Sequence, residues 1–95
     1  MKTLHRPKTL PPKDLGDAFW VGTNLHRLRR EKGMTQEKLA AAADISARRL
    51  RDLENAALGS NILLYTIEAL AKALDVKTEV LFKRHRAIED MASQI

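Results

Sequence analysis

The sequence predicts an all-α fold: five helices and no sheet, a flexible basic N-terminal arm over residues 1–13, and an extended C-terminal helix over about 78–94. Three observations carry this. Alanine and leucine supply 13 and 14 of the 95 residues, against 3 valines and 5 isoleucines, and small or straight-chain side chains lose little freedom in a helix. Apolar residues recur at spacings of three and four through successive segments, the period of a helix with one buried stripe. Capping residues and helix stops punctuate those segments. With 44% apolar and 31% charged residues the composition is that of a globular chain, and its length holds one small domain, 14–95 here.

Taken in order, Pro7, Pro11 and Pro12 keep the arm from helix, while Lys2, His5, Arg6, Lys8 and Lys13 keep it solvated. It is either a plain terminus or a basic strand able to touch phosphates or a minor groove. Asp14 is placed to cap the first helix, in which Val21, Leu25 and Leu28 form the inner stripe and Gly33 the stop. Gly22 weakens its start, which could fall as late as Phe19. Trp20, beside Phe19, is expected to cover one end of the core. Thr35 caps a short alanine-rich helix from Gln36 to Ala43, and Asp44 tolerates the left-handed backbone of a tight turn. Ser46 caps a third helix to about Asn55, with Leu50 and Leu53 inward. Ser60 or Asn61 caps a fourth carrying Leu63, Ile67, Leu70, Ala71 and Leu74. Asp75-Val76-Lys77 breaks it, and the fifth begins near Thr78.

Composition excludes several functions. There is no cysteine, so disulfides, zinc–thiolate sites and cysteine nucleophiles are absent. His5, His26 and His85 are scattered without a second ligand at metal spacing, and no phosphate loop or nucleophile elbow occurs. Neither an enzyme nor a metal or other cofactor is expected. The longest stretch free of charge, Asn55 to Ile67, is too short to span a bilayer, and no apolar core follows Met1-Lys2, so no membrane role and a cytoplasmic location are expected. The net charge of +5 is uneven: residues 1–32 hold eight basic and three acidic side chains, residues 33–95 nine of each. Such asymmetry suits a polyanionic partner. Aromatics at 4% are too few for single-strand stacking platforms, which favours a duplex.

Residues 35–55 carry the most information. Two helices of about eight residues joined by a short turn form a helix-turn-helix. The strings Leu-Arg-Arg-Glu-Lys-Gly-Met-Thr-Gln-Glu-Lys-Leu-Ala (28–40), Asp-Ile-Ser (44–46), Leu-Glu-Asn (53–55) and Ala-Lys-Ala-Leu-Asp-Val (71–76) resemble the Cro/phage-repressor helix-turn-helix family, the lambda-repressor-like domain. The resemblance runs from Leu25 to Phe82. Two departures stand out: Asp44 replaces the family's usual turn glycine, and the loop after Glu54 is longer and lacks its glycine.

The resemblance implies a five-helix DNA-binding domain with 46–55 as the recognition helix in the major groove of double-stranded DNA. It matches Ala47, Arg48 and Asp52 to base-facing positions, with Arg49 and Arg51 flanking. It puts Gln36 and Ser46 at the DNA backbone, pairs Arg29 with Glu54, and leaves Arg30 and Lys32 for phosphates. Arg48 is the leading base reader, since an arginine donates two hydrogen bonds to guanine; the competing use is a surface pair with Asp52 four residues on.

Leu81, His85, Ile88, Met91 and Ile95 line one stripe of the expected last helix. Either it packs on its own domain or it forms a two-fold seam, and two half-sites of a palindromic operator call for the latter. The expected function is therefore a homodimeric, sequence-specific transcriptional regulator, acting as a repressor. The alternative is an antitoxin or adaptor whose main partner is a toxin or another protein.

Overall fold

The computed structural model of the chain describes residues 16–55 and 62–85. Over these residues the order is α1 (Asp17–Glu31), α2 (Gln36–Ala42), α3 (Ala47–Glu54), α4 (Leu64–Ala73) and a 3-10 turn (Thr78–Phe82). No strand occurs among the described residues. α3 packs on α1 and α2, α4 on α2 and the 3-10 turn, and that turn on α1. Leu25, Leu39, Leu50, Leu53, Leu70, Leu74 and Leu81 meet in the centre with no exposed surface. Burying each contributes about 1.5–3 kcal/mol, against propensity differences of a few tenths between good helix formers. Packing, not propensity, decides where these short helices lie.

Three helices end the same way. The N–H of Gly33 bonds to Arg30 O and that of Met34 to Arg29 O, both at 3.0 Å. Asp44 and Ile45 repeat the pattern on Ala41 O and Ala40 O, and Asp75 and Val76 on Lys72 O and Ala71 O. Each is a Schellman stop, which needs one residue in left-handed backbone. Gly33, Asp44 and Asp75 supply it, with φ of 67°, 59° and 57°. Met34, Ile45 and Val76 follow directly and pack on the core, so each stop is locked by an apolar contact. The expected turn at Asp44 is present, and Asp75 uses the same device.

Several boundaries differ from expectation. α1 begins at Asp17 after Gly16, whose residue type offers no side-chain cap; Asp14 and the 1–13 arm lie outside the described residues. The helix runs unbroken through Gly22 because that glycine is a contact point. A Cβ there would run into the carbonyl oxygens of Leu53 and Glu54, so only glycine lets α1 and α3 approach this closely. α4 starts at Leu64 with Leu63 at its N-cap and no side-chain cap, two or three residues later than a cap at Asn61 or Ser60 requires. Those two residues lie outside the described set, and Leu63 is half exposed. Trp20 is fully buried, edge-on to Phe19.

The fifth helix is a single 3-10 turn ending at Phe82, with Lys83 extended at φ −65°, ψ 132°. The cause is Asn24, fully buried on α1. Its amide donates to Leu81 O and Lys83 O, each at 2.9 Å, carbonyls that a continuing α-helix would use itself. His85 Nε2 donates to Asn24 Oδ1 at 2.8 Å, and its ring lies 5.8 Å from that of Trp20. One rod over 78–94 is thereby broken at residue 83; residues 86–95 lie outside the described set.

Gly22→Ala will lower the melting temperature although alanine is the better helix former by about 1 kcal/mol, because backbone cannot yield to the added methyl. At Asp44 the stability order will be Gly at or above Asp, and Asp above Ala by about 1 kcal/mol, as read by thermal unfolding.

Candidate nucleic-acid interface

α2, the turn at 43–45 and α3 form the helix-turn-helix. Thr35 Oγ1 accepts from Lys38 N–H at 3.1 Å and Ser46 Oγ from Arg49 N–H at 3.0 Å, so both helices carry the side-chain caps their sequence offers. α3 is only eight residues long, and a helix of that length does not hold its shape alone. Leu50 and Leu53 anchor one side of it in the core.

A polar clamp holds its C-terminal end. Arg29 Nε donates to Glu54 Oε2 at 2.7 Å and its Nη2 to Oε1 at 3.2 Å, while its Nη1 donates to Met34 O at 2.8 Å. Gln36 Nε2 donates to Glu54 Oε1 at 3.0 Å. His26 Nδ1 lies 3.2 Å from the same oxygen and 3.4 Å from Arg29 Nη2. One ring nitrogen cannot donate to the carboxylate and accept from the guanidinium at once; the shorter, charge-assisted donation to Glu54 prevails. The Glu54 carboxylate is 2% exposed. Burial pushes its pKa up, but hydrogen bonds from Arg29, Gln36 and His26, with the charge of Arg29, more than offset this and hold it below the ordinary carboxylate range. Residues from α1, α2 and α3 thus meet on one carboxylate.

With Leu50, Leu53 and Glu54 turned inward, the opposite side of α3 presents Arg48 and Arg51, both exposed, and Asp52, half-exposed. No ion pair joins Arg48 to Asp52 among the described residues, so the competing surface pair does not form. Arg49 is half-buried. Ala47 is turned toward the core and packs on it, which leaves it little surface for a base. Ser46 is exposed at the N-terminal end of α3. Arg30 and Lys32 are exposed at the far end of α1. Gln36, expected at the DNA backbone, commits its amide nitrogen to Glu54.

The expected dimer stripe also changes. Leu81 has no exposed surface within the single chain, and His85 is engaged with Asn24, so neither is free to form a seam. Ile88, Met91 and Ile95 lie outside the described residues. Among the described residues the exposed large apolar side chains are instead Leu63, Leu64 and Tyr65, at 50%, 64% and 69%. Sequence reasoning missed them by assigning Leu63 to the inner stripe, and it missed Gly22, Gln36 and His26 as parts of the α1–α3 joint. The pairing of Arg29 with Glu54 is as the resemblance implied. No group of metal-ligating side chains is found, and no helix is long and apolar enough to cross a membrane, among the described residues.

A family model described as helix-turn-helix matches residues 25–81. The uncharacterized HTH-type transcriptional regulator y4dJ of Sinorhizobium fredii is 43% identical over 56 residues, 59% of this chain and 70% of that protein. The restriction-modification controller protein C.AhdI of Aeromonas hydrophila is 33% identical, with a TM-score of 0.64 over 70% of this chain and 97% of its own. The hypothetical transcription factor NHTF of Neisseria is 26% identical, with a TM-score of 0.71 over 94% and 99%.

Glu54→Gln will destabilise the fold by about 3 kcal/mol at neutral pH, because it leaves the buried Arg29 without its counter-charge. Since folding lowers the Glu54 pKa, the clamp's contribution is complete above the ordinary carboxylate range and is lost as pH falls through it toward the folded value. Melting temperature will therefore drop more steeply with acid in the wild type than in Glu54→Gln.

Proposed function

The chain belongs to the helix-turn-helix family of the Cro/phage-repressor type, and from that premise we propose that it is a transcriptional regulator that binds specific sequences in double-stranded DNA. The observation that carries this is the clamped α3, with its leucines and Glu54 held inward and Arg48 and Arg51 on the open side. An α-helix fits the major groove, and the first residues of such a helix reach base edges. Arg48 reads a guanine through O6 and N7. Arg51 and Arg49 flank it, Ser46 sits at a phosphate, and Arg30 and Lys32 add phosphate contacts. Gln36 acts first by fixing Glu54, and so the pose of α3.

One domain of this size has few base contacts, so the regulator works as a homodimer on a palindromic operator, with half-sites about 34–36 Å apart. Leu63, Leu64 and Tyr65 support this, as consecutive exposed apolar residues at the start of α4 that a second copy would cover. Binding over a promoter makes it a repressor.

Selection of bound duplexes from a random pool will return a palindrome. Arg48→Ala will flatten selection at one position of each half-site, whereas Lys32→Ala will weaken all sequences alike and reduce the log–log salt slope by about 0.9. A recovered motif unchanged by Arg48→Ala would refute its assignment. Light scattering will show Leu64→Lys/Tyr65→Lys as a monomer with a native helical spectrum; a dimer would place the seam elsewhere.

A further inference from the structure

Asp52 is the anomaly on the open side of α3. Like Arg48 it has no hydrogen-bond or ion-pair partner among the described residues, and it is not buried. The two lie one turn apart, about 40° around the helix axis and about 6 Å along it, opposite Leu50 and Leu53. A carboxylate set against DNA is repelled by phosphates and by every acceptor on the groove floor. Hydrogen-bond donors there are few: the exocyclic amines of cytosine and adenine. The adenine amine lies between two acceptors, its own N7 and the O4 of the paired thymine, which oppose the second carboxylate oxygen on either side, whereas the cytosine amine has an acceptor, the O6 of the paired guanine, on one side only.

We infer that Asp52 is a second specificity-determining residue, which accepts from the N4 amine of a cytosine one or two base pairs from the guanine read by Arg48. This rests on the duplex reading above and extends it: the half-site holds a guanine and a cytosine at neighbouring positions, selected by side chains of opposite charge. The carboxylate adds little affinity, since it costs phosphate attraction; its effect is to reject half-sites that put an acceptor in that place.

The test is duplex selection from a random pool with the full chain, run in parallel for the wild type, Asp52→Ala, Asp52→Asn and Arg48→Ala, with thermal melts to match folding. Wild type will select both bases, cytosine by about ten-fold over the alternatives. Asp52→Ala will lose the cytosine preference, keep the guanine and bind unrelated duplexes more tightly. Asp52→Asn will move the preference toward adenine, because an amide matches N6 and N7 together. Cytosine selection retained in Asp52→Ala, or guanine selection lost with it, would overturn the inference; the second result would make Asp52 a positioning residue for Arg48. No selected duplex with the wild type would instead overturn the underlying DNA reading, and the inference with it.

Discussion

Glu54 ends a helix that cannot stand alone, and its carboxylate is almost wholly removed from water. An unpaired carboxylate in that place would cost several kcal/mol, so Arg29 is a requirement, and Arg29 is in turn held by the Met34 carbonyl just beyond the end of α1. Gln36 brings the first turn of α2 to the same oxygen, and His26 adds a donor one turn before Arg29. The joint therefore sets the angle between three helices at one point, as apolar contacts seldom do by themselves: leucines tolerate sliding, and a bidentate guanidinium does not. Gly22 is the steric half of that joint. It lets the α1 backbone rest on the carbonyls of Leu53 and Glu54, which brings Arg29 within reach of its partner.

The helix stops do comparable work for the connections. Three of the helices, α1, α2 and α4, end in the same hydrogen-bond pattern, and the residue after each left-handed position is apolar and packed. A stop of this kind fixes the direction of the next segment, because the following side chain must enter the core. Two of the three use aspartate in place of glycine. Aspartate is among the few residues that visit left-handed backbone at modest cost, and it spares the unfolded chain the extra freedom of a glycine.

Local features were legible in the sequence and through-space features were not. Thr35, Ser46, Gly33 and Asp44 act within a few residues of themselves, and each is found in the role its type suggests. The inward leucines follow from a period of 3.6. Gly22 was misread because its propensity counts against a helix, while its value lies in a contact 31 residues away in sequence. Leu63 was misread because spacing alone cannot tell the last residue outside a helix from the first residue within it. The final helix was misjudged for a related reason. The stripe through Leu81 is genuine, but Asn24, 57 residues earlier, takes the carbonyls that a longer helix would need. On the open side of α3 the resemblance supplied the positions, and the structure added that Arg48 and Asp52 have no ion-pair partner among the described residues.

The two carboxylates of α3 divide the helix into its two tasks. Glu54 faces inward, is fully paired, and contributes nothing to the field outside, since Arg29 neutralises it at contact distance. Asp52 faces outward with no ion-pair partner among the described residues, so its charge is felt by whatever approaches. On the proposed duplex reading, a helix meant only to attract DNA would omit it: Arg48, Arg49 and Arg51 would supply the attraction, and an acidic neighbour subtracts from it. Its presence at the centre of the open face makes sense as discrimination, in which the loss of general phosphate attraction is the means by which unsuitable base edges are rejected. That argument requires a rigid helix, because a mobile Asp52 could turn away from a wrong base at little cost. The buried clamp at Glu54 is what denies it that escape.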